Sequence, residues 1–392
     1  MRRRWRRWES EYAAARRSRE RWAVPTLRMR YDTTMRRPVV SILLCLALLW
    51  APVARAQVKN PAAEELSPQL DGAIARGLAY LAKQQQADGS FQNRTGKDTF
   101  GGPRVALTGL AVMAYLAAGR TPDAGKHALV VRNAIDYLVK VCPEDGYFGR
   151  VDGSRMYGHA IATLALAEAA GMEADEKQRA KVRAALLRAT AVLIKAQKTQ
   201  RAEEKFRGGW RYEVEVPDSD LSVSSWCVLA LRAAHNAGVD VPRESADRAA
   251  EFVLRCYDKE KRGFGYQPGA EPTASMTGAG VLSLALLDRA GRREVDLGAT
   301  FLIDHPVTDQ TEYAYYARYY AAQAAFQVAD ERWPRVWKRT QDALLKLQDK
   351  DGGWPGGRRQ SRKAGLALSR RRTRCLHKEA RPNGAGLFVC RS

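Results

Sequence analysis

The stretch RGLAYLAKQQQADGSF (residues 76–91) decides the fold, because its frame recurs through the chain. It carries a basic residue, a small residue, an aromatic followed by an aliphatic, a Gln, and then Gly-x-aromatic. NAIDYLVKVCPEDGYF (133–148) repeats it with Cys142 at the Gln position, and RATAVLIKAQ (188–197) repeats it with an insertion before Gly208-Gly209-Trp210. AAEFVLRCYDKEKRGFGY (249–266) and GATFLIDHP (298–306) are weaker copies, and DALLKLQDKDGGW (342–354) restores Gln348, Gly352 and Trp354. With Tyr80, Tyr137, Val192, Phe252, Phe301 and Ala343 as equivalent positions, the spacings are 57, 55, 60, 49 and 42 residues. A period of that length is the mark of a repeat architecture.

Between the copies lie apolar segments rich in small residues: 104–119, 156–171, 221–238, 275–291 and 312–327. Each is apolar nearly all round with helical period, as a helix buried on every side requires. Gly119, Gly171, Gly238 and Gly291 are expected to close four of them in a left-handed conformation. The copies themselves are amphipathic, so outer helices alternate with inner ones. A hairpin of this kind cannot bury its apolar side alone, and stacked neighbours must supply the core. The expected fold is all-α, a single (α/α)6 toroid of six helix hairpins spanning residues 57–357. Glycine permits the tight reversal and the ring packs beneath it. The Gln is placed to bond backbone groups left free at the next helix terminus.

This frame resembles the QW repeat of squalene–hopene and oxidosqualene cyclases, and the architecture resembles the terpenoid cyclase and protein prenyltransferase toroid. The resemblance covers residues 66–356. Family cyclases pair two such barrels, whereas this chain has room for one. In the cyclases a Gly-Gly-Trp-like stretch leads to a D-x-D-D-T motif that caps an inner helix at the cavity. One Asp of that motif protonates an alkene or epoxide. In GGWRYEVEVPDSDLSVSSWCVLAL (208–231), Asp218 and Asp220 match the first and third positions, Ser222 stands for Thr, and Leu221 replaces the fourth Asp. Such chemistry needs a carboxylic acid held protonated by its neighbours. The competing expectation is that Asp220 N-caps a helix starting at Leu221, with Asp218 in the turn.

Four tyrosines and a histidine are candidate cavity residues. His159 follows Tyr157-Gly158 near the start of an inner segment, where it either faces the cavity or is a satisfied buried imidazole. Tyr313, Tyr316 and Tyr320 repeat at helical spacing, with Tyr315 and Tyr319 on the neighbouring side. Such faces stabilise a carbocation, hold an apolar or sugar ligand, or pack helices together. Trp226 is expected in the core, and His127 and His235 are expected in solvent. Protein prenyltransferases need zinc ligands with Asp and Cys two residues apart, and no D-x-C occurs. The Cys-Gly-Glu-Gln thioester stretch and the glycine-rich phosphate loops are likewise missing. Neither a metal nor a cofactor is expected. Cys142, Cys227 and Cys256 read as buried thiols, not a disulfide framework.

The net charge of +22 suggests a polyanionic partner until it is located. Residues 1–34 carry +7, residues 35–56 carry +3 and residues 358–392 carry +10, which leaves +2 for residues 57–357. The body is nearly neutral, and a nucleic-acid partner is not expected; a membrane surface is not indicated either. From Met35 the chain reads MRRPVVSILLCLALLWAPVARAQ, with a basic start, a short apolar run and an A-x-A site ending at Ala56. That is the pattern of a signal peptide for a secreted or periplasmic protein. Residues 1–34 then read as lying upstream of the true start, and the Arg-rich residues 358–392 as an out-of-frame product. Three functions fit: an exported module that binds an apolar small molecule, a glycan or a protein; a terpenoid-cyclase-like isomerase using Asp218 and Asp220; or a carbohydrate-active enzyme on the same ring. Fold alone does not choose among them.

Overall fold

A computed structural model describes residues 67–92, 103–173 and 175–355 of the chain. Residues 1–34, the expected signal peptide 35–56 and residues 358–392 lie outside the described residues. Ser67 accepts the Leu70 N–H at 3.3 Å and opens α1 (Pro68–Ala82), with proline at the first turn. The chain continues through α2 (Arg104–Ala117), α3 (Ala128–Val141), α4 (Arg155–Ala169), α5 (Glu176–Lys198) and α6 (Leu221–Asn236). It then forms α7 (Arg243–Arg255), α8 (Ala274–Leu286), α9 (Arg293–Asp304), α10 (Ala314–Val328) and α11 (Arg332–Leu347). One two-stranded ribbon pairs β1 (Tyr257–Asp258) with β2 (Gly263–Phe264) in antiparallel register.

Odd-numbered helices are the amphipathic copies and even-numbered helices are the apolar segments. In α8 every residue from Met276 to Leu284 is buried, whereas α11 buries only Val336 and Thr340. Successive inner helices pack on one another, α2 on α4, α4 on α6, α6 on α8 and α8 on α10, and α11 returns to touch α1. The all-α toroid expected from the repeats is the observed fold. No helix among the described residues is long and apolar enough to cross a membrane.

The repeat motif is the joint of the ring. Gln85 donates to the Val130 carbonyl at 2.8 Å and to Gly89 in its own turn at 3.0 Å. Gln197 does the same to Ser245 at 2.8 Å and Gly208 at 2.9 Å. Gln348 donates to Ala73 at 2.8 Å and Gly352 at 3.0 Å, so the sixth copy is stitched to the first. The acceptors are backbone carbonyls early in the next outer helix. At Cys142, which replaces Gln, the sulfur instead receives the Arg188 Nη2 at 3.6 Å.

The glycine two residues before the ring has a steric reason at Gly89, Gly146, Gly208 and Gly352, whereas Arg262 takes this left-handed position in the fourth repeat. Gly208 sits at φ +85°, and a Cβ there would lie 2.2 Å from the Arg248 carbonyl oxygen of the next outer helix. The ring then turns inward. Trp210 Nε1 donates to the Leu193 carbonyl at 2.8 Å, and Trp354 Nε1 donates to Leu344 at 2.9 Å. The backbone N–H groups of Phe91, Trp210 and Phe264 donate to the hydroxyls of Thr108, Ser224 and Thr277, one turn into the following inner helix. Each aromatic therefore fills the corner between its own outer helix, the next inner helix and the next outer helix.

Two local expectations need correction. Gly119, Gly171 and Gly238 adopt positive φ as expected, but Gly291 does not. There α8 stops at Leu286, and Asp288 takes the left-handed position at φ 61°, where its carboxylate meets Arg232. His127 is not in solvent: it is 9% exposed, with its ring 5.3 Å from Tyr115. Cys142, Cys227 and Cys256 are free thiols, the last two buried as expected and Cys142 only partly so, and Trp226 is buried.

Candidate functional site

Helix α6 starts where it does because Asp220 is extended and its Oδ1 accepts the Val223 N–H at 2.8 Å. The second oxygen, Oδ2, accepts from Arg211 Nη1 at 3.0 Å. Arg211 also reaches Asp218, Nε to Oδ1 at 3.3 Å, and the Tyr266 hydroxyl at 2.8 Å. Asp218 Oδ2 accepts from Gln267 Nε2 at 3.0 Å. The two candidate acids are thus brought together around one guanidinium. That guanidinium lies over the Tyr212 and Tyr266 rings at 4.7 and 5.5 Å, and the two hydroxyls share a bond of 2.7 Å.

Burial pushes the Asp220 carboxyl up to about 6, against the opposing pull of the Val223 N–H and Arg211. Burial also works against the Arg211 charge, but Asp220 and Asp218 outweigh it and raise its pKa. At neutral pH the result is an ionised carboxylate with both oxygens accepting hydrogen bonds.

Below this cluster, tyrosines from two other inner helices converge on α6. Tyr157 of α4 shares a hydrogen bond of 2.5 Å with the Ser222 hydroxyl, which shares another of 2.6 Å with Tyr316 of α10. Tyr320 shares one of 2.8 Å with Ser225. Trp226 stacks on Tyr319 at 5.6 Å and meets Tyr320 edge-on at 5.9 Å. Because α8 separates α6 from α10 in the ring order, the contacts of Ser222, Ser225 and Trp226 with α10 cross the ring interior. Burial pushes Tyr316 and Tyr319 up to about 12 and raises Tyr157 further, so all three phenols are neutral donors.

His159 and Tyr313 do not join the group. His159 is fully buried between α4 and α5, with Nε2 3.1 Å from the Ala189 carbonyl and its ring against Tyr147 and Phe148. It faces the outer layer, not the axis, and burial pushes its pKa down to about 3. Tyr313 is the left-handed cap of α10 and is 62% exposed, off the face shared by Tyr316 and Tyr320.

Sequence reasoning missed Arg211, Tyr212, Tyr266, Gln267 and Ser225. A signal for two of them was present: Trp210-Arg211-Tyr212 and Phe264-Gly265-Tyr266 each put a Tyr two residues after the motif aromatic. Among the described residues, no three His, Cys, Asp or Glu side chains converge as metal ligands would.

Known proteins place this ring in a family. No curated protein matches the chain. Three overlapping stretches, residues 42–155, 76–314 and 211–370, match the family model described as the prenyltransferase alpha-alpha toroid domain. Overlap of this kind is what equivalent hairpins arranged in a circle produce, since a match can begin at several repeats. The chain belongs to the prenyltransferase alpha-alpha toroid family.

Proposed function

We propose that this protein is an exported binding ring that does not perform cyclase chemistry, and that its ligand lies on the rim formed by Arg211, Tyr212, Tyr266 and Tyr157. The observation that carries the proposal is the commitment of Asp220. Its Oδ1 caps α6 and its Oδ2 is paired with Arg211. Both carboxylate oxygens are thus engaged in accepting hydrogen bonds within the protein. A long isoprenoid also needs a cavity of roughly 300–1,000 Å³, and the Tyr157–Ser222–Tyr316 contacts occupy the interior at this level. The rim offers phenol hydroxyls, a guanidinium and half-buried ring faces. That chemistry suits a glycan better than a bare hydrocarbon, and better than a protein partner that would need a wide apolar patch.

The test is titration of the secreted protein with soluble oligosaccharides, read by intrinsic tryptophan fluorescence. Tyr157→Phe and Tyr266→Phe remove a hydroxyl each and keep the rings. Each should weaken binding about tenfold. Unchanged affinity in both variants would remove the rim from consideration.

One observation favours a second reading. A carboxyl pushed up to about 6 by burial is better suited to give up a proton near neutrality than an ordinary aspartic acid. If the purified protein carries an isoprenoid from a lipid extract and converts it, Asp220→Asn should abolish the conversion.

A further inference from the structure

Charge on the outer wall of the ring is unevenly shared. Residues 57–357 carry +2 in all, yet α5 alone has seven basic side chains and one acidic one, which leaves −4 for the rest of the body. Other outer helices pair cations with carboxylates of their own or of a neighbour. Arg243 and Arg248 of α7 meet Asp247 and Glu244, and Arg332 and Lys338 of α11 meet Asp296 and Asp342. On α5, none of Lys177, Lys181, Arg183, Arg188, Lys195 and Lys198 forms an ion pair among the described residues.

The spacing of these cations gives them a direction. Lys177, Lys181, Arg188 and Lys195 stand four, seven and seven residues apart, so they follow one side of the helix. A rise of about 1.5 Å per residue makes the row roughly 27 Å long, with gaps of about 6–10 Å. Lys177, Lys181 and Lys195 are exposed, and Arg188 is half-buried with Nη2 on the Cys142 sulfur at 3.6 Å. Burial pushes the Cys142 thiol up, so the sulfur is neutral and the guanidinium keeps its charge. Asp136 of the adjacent α3 lies near Arg132 and Lys181 and accepts from Gln178. One carboxylate shared by two cations leaves the row unneutralised.

The surroundings of the row select the partner. The exposed residues beside it on α5 are Ala180, Ala184, Leu187 and Ala191. A helix that sinks into a bilayer needs Trp, Phe or Leu along such a face, and here one Leu stands among alanines. Duplex DNA carries a charge about every 1.7 Å of its axis, far denser than this row. A linear polymer with an acid group on alternate sugars has sparse charge, and the alanines let its sugars approach the helix closely.

We propose that α5 binds a linear acidic polysaccharide of the polyuronate class, with its carboxylates along Lys177, Lys181, Arg188 and Lys195. The lysines act as point charges, and Arg188 adds a charge-assisted bond in mid-row. The site lies on the outer wall, separate from the rim, and does not depend on the rim binding a glycan.

The experiment is titration of the full chain into fluorescein-labelled hyaluronate oligosaccharides at about 0.15 M salt, read by fluorescence anisotropy. Because both ends of the chain are basic as well, matched variants carry the decision. Lys181→Gln with Lys195→Gln on α5, and Arg335→Gln with Lys346→Gln on α11, remove equal charge from exposed positions. The α5 pair should weaken binding about tenfold, and the α11 pair less than about twofold. Tyr266→Phe should leave hyaluronate binding unchanged, which separates this site from the rim. Absence of saturable binding, equal losses in the two pairs, or a loss in Tyr266→Phe without one in the α5 pair would each overturn the proposal. So would a loss in the α5 pair that is larger for phosphatidylglycerol vesicles or duplex DNA than for hyaluronate.

Discussion

The third and fifth repeats are built on the same frame, and they differ in an instructive way. The third carries a long insertion between Gln197 and Gly208, yet its corner is complete. Trp210 is fully buried and bonded to Leu193, and Arg201, from the insertion itself, ties the turn down with five hydrogen bonds. The fifth has a short connection and no insertion, yet its corner, lined by Leu302, Pro306 and Val307, holds a small gap and the incompletely bonded guanidinium of Arg318. Loop length therefore matters little to this joint. What matters is whether a ring fills the space behind the turn, since the second and fourth repeats bury Phe148 and Phe264 with Cys142 and Tyr257 at the Gln position.

The comparison is broken most directly by emptying the good corner. Trp210→Ala removes a fully buried indole and its bond to Leu193, and should lower stability by about 3–5 kcal/mol. Val307→Ala in the fifth corner should cost under about 1 kcal/mol, because little is packed against it. Chemical denaturation of both variants checks the pair. Similar losses would mean that the aromatic is not what holds the joint. Next in size is Gln197→Leu, which strands the Gly208 and Ser245 carbonyls and should cost about 2 kcal/mol at roughly 1 kcal/mol per lost bond. The same measurement applies.

The sequence carried the alternation of helices well, because inner segments such as 275–291 are apolar all round and the copies are not. It also carried the capping role of Asp220, since an Asp before an apolar helix has few other uses. It failed where a side chain's direction depends on a distant element. His159 shares a helix with Tyr157, and only the packing of α4 on α5 shows that one turns outward and the other inward. Gly291 was passed over because Asp288 pairs with Arg232 and ends α8 earlier, a contact between repeats that no local pattern encodes. The Arg211 cluster was invisible because Arg211 and Tyr266 come from turns 55 residues apart that only the packing of the third repeat on the fourth brings together.

The second and third corners also differ in charge, and pH sharpens that difference. Beneath Phe148 lies His159, pushed down to about 3 by burial. Beside Trp210 lies Asp220, pushed up to about 6. The unfolded chain protonates its histidine near 6.5 while the folded chain resists, so His159 makes the fold less stable as pH falls from about 6.5 toward 3. Asp220 acts in the opposite sense: the folded state takes up the proton first, so stability is gained as pH falls through about 6 toward 3.8. Between pH 7 and 5 the two effects partly cancel. Asp220→Asn should expose the histidine term and steepen the loss of stability over that range by about 1 kcal/mol. His159→Gln should reverse the sign of the slope. Denaturation midpoints at the two pH values decide it, and parallel slopes in all three proteins would mean that neither group titrates as its surroundings imply.

The smallest effect is expected at the seam of the ring. Gln348 makes the same two bonds as Gln197, to Ala73 and Gly352, and its Oε1 also accepts from Arg76 at 2.8 Å. Gln197 is 3% exposed, whereas Gln348 is only half-buried. Carbonyls left at the seam by Gln348→Ala can return to water, so global stability should fall by under about 1 kcal/mol. The loss should appear locally instead: amides of α1, held by this joint across the seam, should exchange faster, while those of α6 and α8 stay protected. If Gln348→Ala costs as much as Gln197→Leu, or if exchange accelerates around the whole ring, then the closing joint is mechanically equal to the internal ones and the ring behaves as a single cooperative circle.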